Sequence, residues 1–161
     1  PWTRTTPLPE RTAQDVDGDG MTDLVWHHST TGAVLVWLLD GAAPPFAMTL
    51  GTVPDLGWQI VGVGDVNGDG IADLVWHHST TGAVAVWLLD GAAPPVVLEL
   101  DTLADLGWQI VGVGDVNDDG KADLIWHHVT TGAVVVWELD GFTIRAQTTI
   151  GIMPDLGWQI Q

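Results

Sequence analysis

The sequence predicts an all-β fold in which similar small sheets recur and stack on one another. Three observations lead there. Nearly the whole chain consists of three near-copies of one fifty-residue unit, anchored by DVDGDGMTDLVWHH from Asp15, DVNGDGIADLVWHH from Asp65 and DVNDDGKADLIWHH from Asp115; self-similarity at such a period marks a repeat architecture. The apolar segments are strand-length, rich in Val, Ile, Leu and Trp, and bounded by Gly, Pro, Asp and Thr clusters. No stretch free of Gly and Pro carries a 3.6-residue period long enough to compete as a helix.

The second copy shows the elements in order. Trp58–Val63 (WQIVGV) reads as a strand, Asp65–Asp73 as an acidic loop and Leu74–His78 (LVWHH) as a second strand. Ser79–Gly82 (STTG) is a hairpin turn. Ala83–Leu89 (AVAVWLL), a turn at Asp90–Pro95 and Val96–Leu100 (VVLEL) complete four strands. In AVAVWLL both parities are apolar, so both sheet faces should be covered. Radial stacking of four-stranded blades, a β-propeller, meets that need with short protected edges. A segment at 1–14 leads into repeats at 15–64, 65–114 and 115–161, expected to form one domain.

Three blades are few, since propellers have about 4–8. A three-blade wedge would leave two apolar faces open. Two chains joined head to tail about a twofold axis would close six blades, so a homodimer is expected. The sequence ends at Trp158-Gln159-Ile160-Gln161, partway through a strand that Glu10–Gln14 (ERTAQ) does not reproduce ahead of the first loop. The last WQI is therefore expected to complete the first blade, in the same chain or a partner. The alternative is a fragment cut from a longer array.

The bulk numbers narrow function. A hydrophobic fraction of 46%, 10 Trp and a mean hydropathy of +0.24 exclude a disordered acidic chain. No apolar run approaches a membrane span and no signal peptide is present; a start at Pro1 fits a processed or trimmed chain. Net charge is −17 with four basic residues, so nucleic acid and anionic lipid are poor partners. Without Cys there are no disulfides, thiolate metal sites or thiol chemistry.

The acidic strings carry the chemistry. Hard cations such as Ca²⁺ take 6–8 oxygen ligands, and alternate residues of a tight loop can supply them. The candidate ligands are Asp15, Asp17, Asp19, the Met21 carbonyl and Asp23 in the first copy. In the second they are Asp65, Asn67, Asp69, the Ile71 carbonyl and Asp73; in the third, Asp115, Asn117, Asp119, the Lys121 carbonyl and Asp123. Gly20, Gly70 and Gly120 stand at position six, where the chain must turn sharply. Position twelve is Trp26, Trp76 or Trp126 instead of the EF-hand Glu, and strands flank the loop. About three Ca²⁺ per chain are expected, tightest in the first copy with its four carboxylates.

These loops resemble those of the FG-GAP/VCBS repeat family, the blades of integrin α-subunit propellers and related bacterial and fungal proteins. The matching residues are Asp-x-[Asp/Asn]-x-Asp-Gly-x-x-Asp followed by Leu-[Val/Ile]-Trp, with flanking GVGD and W-x-L-D-G segments, over residues 15–161. The resemblance implies a propeller with calcium clasped between the first and second strands of each blade. No literal FG…GAP signature is present, so ligand-binding residues of integrins cannot be placed here.

The pairs His27-His28, His77-His78 and His127-His128 do not read as transition-metal sites, because strand neighbours point to opposite faces. Trp recurs at three phases, Trp26/76/126, Trp37/87/137 and Trp58/108/158, mostly as inter-blade packing. Aromatic rings beside polar groups also form sugar pockets, and fungal lectins of this blade type belong to the family resembled. His28, His78, His128, Trp58, Trp108 and Trp158 are the candidate ligand residues. No nucleophile–base–orienter set is evident, and Ser29 and Ser79 become Val129 in the third copy. The reading is a non-catalytic, calcium-binding recognition or adhesion module, secreted or on the cell surface, with glycans or a cell-surface protein as partners. The competing reading is a purely structural or engineered scaffold; an enzyme ranks third.

Overall fold

A computed structural model describes residues 14–91 and 94–160. The described residues form eleven strands and no helix. They are β1 (Leu24–His27), β2 (Ala33–Leu38), β3 (Phe46–Thr52), β4 (Trp58–Gly64), β5 (Asp73–His78), β6 (Ala83–Leu88), β7 (Val96–Thr102), β8 (Trp108–Gly114), β9 (Asp123–His128), β10 (Ala133–Asp140) and β11 (Thr143–Ile152). These group into three antiparallel sheets, β1-β2-β3, β4-β5-β6-β7 and β8-β9-β10-β11, as expected of propeller blades.

Blade and sequence repeat are out of phase. β4 lies at the end of the first repeat, yet pairs with β5 of the second, Trp58 opposite His78 and Gly64 opposite Asp73. β8 pairs with β9 in the same register. Each acidic loop thus joins the first two strands of one sheet, while each repeat boundary falls inside a sheet.

Two apolar cores show how the blades stack. β5 and β6 alternate: Leu74, Trp76, Ala85 and Trp87 join a cluster with Val34 and Val36 of the first blade. Val75, Val84 and Val86 join a second cluster with Leu124, Trp126 and Trp137 of the third blade. The middle sheet is therefore covered on both faces, which is why β6 reads as a continuous apolar run. The outermost strands β3, β7 and β11 are mostly exposed. β4 and β8 approach closely: a Cβ on Gly62 would lie 2.2 Å from Val113 Cγ2. Gly62 follows a bulge between Ile60 and Gly62, and only a residue without a side chain admits this contact.

Candidate metal loops and the histidine clasp

Each acidic loop is wound by its own first carboxylate. Asp15 Oδ1 accepts N–H bonds from Gly18 (2.7 Å) and Asp19 (3.1 Å), and its Oδ2 accepts from Gly20 (2.8 Å). Asp65 and Asp115 receive the corresponding amides in their loops. Gly18 and Gly20 sit at φ 81° and 89°, a region that favours glycine. Asp118 occupies the Gly18 position in the third loop at φ 63°, the non-glycine residue that bears that strain.

In the first loop Asp15, Asp17 and Asp19 place carboxylate oxygens within 4.8 Å of one another, so one cation could reach all three. Partial burial, and then the charges of Asp19, Asp23 and Asp15, push the Asp17 carboxyl above the usual range. This is the signature of negative charge gathered without a counter-charge. All-oxygen donors with crowded carboxylates fit a hard divalent cation. The second and third loops substitute Asn67 and Asn117, whose Oδ1 atoms accept from Asp69 N and Asp119 N at 3.0 Å. The backbone amides of Met21, Ile71 and Lys121 donate to the Asp19, Asp69 and Asp119 side chains.

The last carboxylates of the pattern lie deeper. Asp23, Asp73 and Asp123 are fully buried. Asp73 Oδ2 accepts from Val66 N (3.0 Å) and Oδ1 from Leu89 N (2.9 Å), tying the loop to the far end of β6. Asp23 and Asp123 repeat both bonds. Burial pushes Asp73 up to about 7 despite these donors, with Asp69 and Asp65 adding to the rise. Burial raises Asp123 in the same direction. Asp115 goes the other way: desolvation opposes it, but the amides of Gly120, Asp118, Asn117 and Asp119 hold it below the usual range.

Consecutive loops are joined through the backbone. Ala72 N donates to Asp15 O at 2.7 Å, and Ala122 N to Asp65 O at 2.6 Å. A cavity of about 230 Å³ between β4, β8 and the loops is lined by Asp15, Asp65, Asp115 and Lys121. Lys121 Nζ binds Asp140 at 2.8 Å, an ion pair that the first two loops, with Met21 and Ile71, do not have.

The histidine pairs divide between two faces. His27 meets Trp76 edge-on at 5.1 Å between ring centres, and His77 meets Trp126 at 5.5 Å. His78 and His128 turn instead onto Trp58 and Trp108, at 5.0 and 4.8 Å. His78 Nδ1 accepts from the amides of Thr80 and Thr81, so its Nε2 carries the proton and donates to Asp55 Oδ2 at 3.1 Å. His128 makes the same set with Thr130, Thr131 and Asp105. Both ring nitrogens are thus engaged inside the fold. His28 has the Thr30 and Thr31 bonds, but among the described residues no carboxylate reaches its Nε2. Trp58 and Trp108 are half-buried, whereas Trp158 is exposed. Asp55 and Asp105 are functional partners that the sequence reading did not single out. The signal was there in the Asp-Leu-Gly-Trp that recurs in phase with each His pair.

A family model of the FG-GAP-like repeat matches residues 15–76 and again 65–126, two overlapping units that each span one loop, one blade face and the next loop. The chain belongs to the FG-GAP repeat family. A search of curated proteins finds none that matches. The family match sets the three sheets as repeat blades of propeller type, and the loop at Asp15, Asp17 and Asp19 as a place where a metal ion could be held. No helix among the described residues is long and apolar enough to cross a membrane.

Proposed function

We propose that this FG-GAP repeat chain is a non-catalytic, calcium-stabilised propeller module that presents recognition surfaces outside the cell. The observation that carries it is the triad of carboxylates at Asp15, Asp17 and Asp19, with loops of the same winding at Asp65 and Asp115. Calcium is favoured over magnesium because the loop offers many oxygens with no small octahedral frame. When bound, the ion neutralises the gathered charge; the chain's own part is to pre-wind the loop through Asp15 and anchor it through Asp23. Asp17, Asp19, Asn67, Asp69, Asn117 and Asp119 would supply the outward oxygens. Ion filling stabilises the folded state by linkage, since the extended chain cannot assemble the donors.

Calorimetric titration of the chelator-stripped chain tests this. About three calcium ions should bind per chain, and the melting temperature should rise with calcium. Asp19→Ala should remove one binding event and leave two. An unchanged melt in excess chelator would refute the metal assignment.

For the recognised partner, a groove of about 260 Å³ between the first two blades supports a glycan. Its walls include Thr52, Pro54, Trp58 and Trp87, an aromatic surface beside small polar groups. Avidity across repeated grooves would offset weak single sites. A glycan array probed with and without chelator reads this directly. A second reading, a scaffold without its own ligand, is supported by His78 and His128, whose nitrogens serve the fold. Calcium-dependent stability with no glycan or protein bound would favour that reading.

A further inference from the structure

The two blade junctions in this molecule follow one rule. At the first, Val25, His27, Val34 and Val36 of one blade meet Leu74, Trp76, Ala85 and Trp87 of the next. At the second, Val75, His77, Val84 and Val86 meet Leu124, Trp126, Val135 and Trp137. By the strand registers, the first blade has an outward face of Leu24, Trp26, Leu35 and Trp37, matching the side that receives. The third blade has an outward face of Ile125, His127, Val134 and Val136, matching the side that inserts. Trp76 is 1% exposed and Trp126 0%, whereas Trp26 is 46% exposed. Leu24 and Trp37 are likewise exposed where Leu74 and Trp87 are buried. Half of an established interface stands open at one end of the array, and the complementary half at the other.

The sheet edges agree. β4 covers β5 and β8 covers β9, but β1 has β2 as its one strand partner among the described residues. Fifty positions before Trp58–Gly64 stands Leu8–Gln14 (LPERTAQ), which does not reproduce WQIVGVG. The missing sequence recurs at Asp155–Ile160 (DLGWQI), where Trp158 is 68% exposed and no strand forms. His28 lacks the carboxylate that His78 and His128 hold, and Asp155 is the third copy of that carboxylate.

We propose that two copies of this chain close into a six-bladed ring, each docking its third blade and its Asp155–Ile160 segment onto the first blade of the other. Trp158-Gln159-Ile160 of one copy adds to the β1 edge of the second. Asp155 meets His28 Nε2, His127 meets Trp26 edge-on, and Thr22 N donates to Asp115 O as Ala72 and Ala122 do to Asp15 and Asp65. One chain does not supply both sides of this contact to itself: three sheets would have to turn by roughly 120° at each junction, against roughly 60° for six, and packed sheets lie much nearer alignment. Each of the two junctions is heterologous, and a twofold axis relates and closes them.

The test is the mass of the full chain in excess calcium, by light scattering behind a sizing column. Twice 17.2 kDa is the expected result; a monomer across a hundredfold dilution, or a trimer or open polymer, would overturn the proposal. Trp26→Glu with Trp37→Glu should give a folded monomer, with β-type circular dichroism retained. Phe46→Glu, on an exposed outer strand, should stay dimeric. Should the double Trp variant fail to fold, Asp155→Ala with Trp158→Ala decides. Neither residue supports the core of its own chain, and their loss should raise the dimer dissociation constant at least tenfold. An unchanged constant rejects the docking of that segment.

Discussion

At His78 three separate pieces of chain are held by one ring. Its Nδ1 fixes the turn at Thr80 and Thr81, its Nε2 reaches Asp55 ahead of β4, and its face covers the Trp58 edge. Replacing His78 with Ala should cost about 1–3 kcal/mol, because the two turn amides lose their acceptor at a largely buried site; urea unfolding of the variant measures it. The carboxylates Asp55 and Asp105 are held below their ordinary range, Asp55 first by the Gly57 amide and then by His78, Asp105 first by His128 and then by the Gly107 amide. A carboxyl depressed on folding adds stability above its ordinary value and loses it as pH falls through the depressed one. The difference in urea midpoint between the native chain and Asp55→Asn with Asp105→Asn should therefore persist at neutral pH and vanish below about pH 3. Asp73 makes a different claim. Asp73→Ala would strand two buried amides, Val66 and Leu89, and should cost about 2–4 kcal/mol by the same measurement. From sequence, Asp73 reads as a metal ligand like its neighbours, because spacing cannot separate an oxygen that faces an ion from one that faces the backbone.

At the level of elements, the hairpin between β5 and β6 ends against the loop that follows β7. Gly82 N donates to His78 O, and Gly82 O accepts from Leu103 N, both at 2.9 Å. Gly82 has φ 74°, and a Cβ there would lie 1.7 Å from Leu103 O. Gly82→Ala should therefore destabilise by well over about 1 kcal/mol, more than backbone strain alone would give, and thermal melting should show it. The strands were largely legible beforehand: the expected Trp58–Val63, Leu74–His78, Ala83–Leu89 and Val96–Leu100 correspond to β4 to β7 within two residues at each end. Short Val-, Ile- and Trp-rich runs between Gly and Asp clusters determine them locally. The crossing of Gly82 with Leu103 was not legible, since twenty-one residues separate them and nothing in Ser-Thr-Thr-Gly names its neighbour. The clasp of His78 by Asp55 was hidden for the same reason, and appears once β4 and β5 are paired.

Over the whole molecule, protection is uneven. The middle sheet is covered on both faces, whereas the first and third each turn one apolar face outward. Hydrogen exchange should reflect this: amides of β6 should exchange slowest and those of β3 and β11 fastest, with a dimer slowing β1 relative to a dilute monomer. Equal rates across the three blades would mean the sheets open as one unit. The continuous apolar β6 already told that a sheet is covered on both sides, but composition could not tell which blade is central, because all three repeats carry nearly the same residues.

The stagger between repeat and blade has a mechanical outcome. A pull on the two ends cannot peel off one repeat along its own boundary, because that boundary is a hydrogen-bonded seam: Gly51 and Thr52 close one sheet, and Trp58 opens the next. Force must shear β4 from β5 or β8 from β9 along their full length before any segment is released. A tether built this way yields in large sudden steps and holds firm between them.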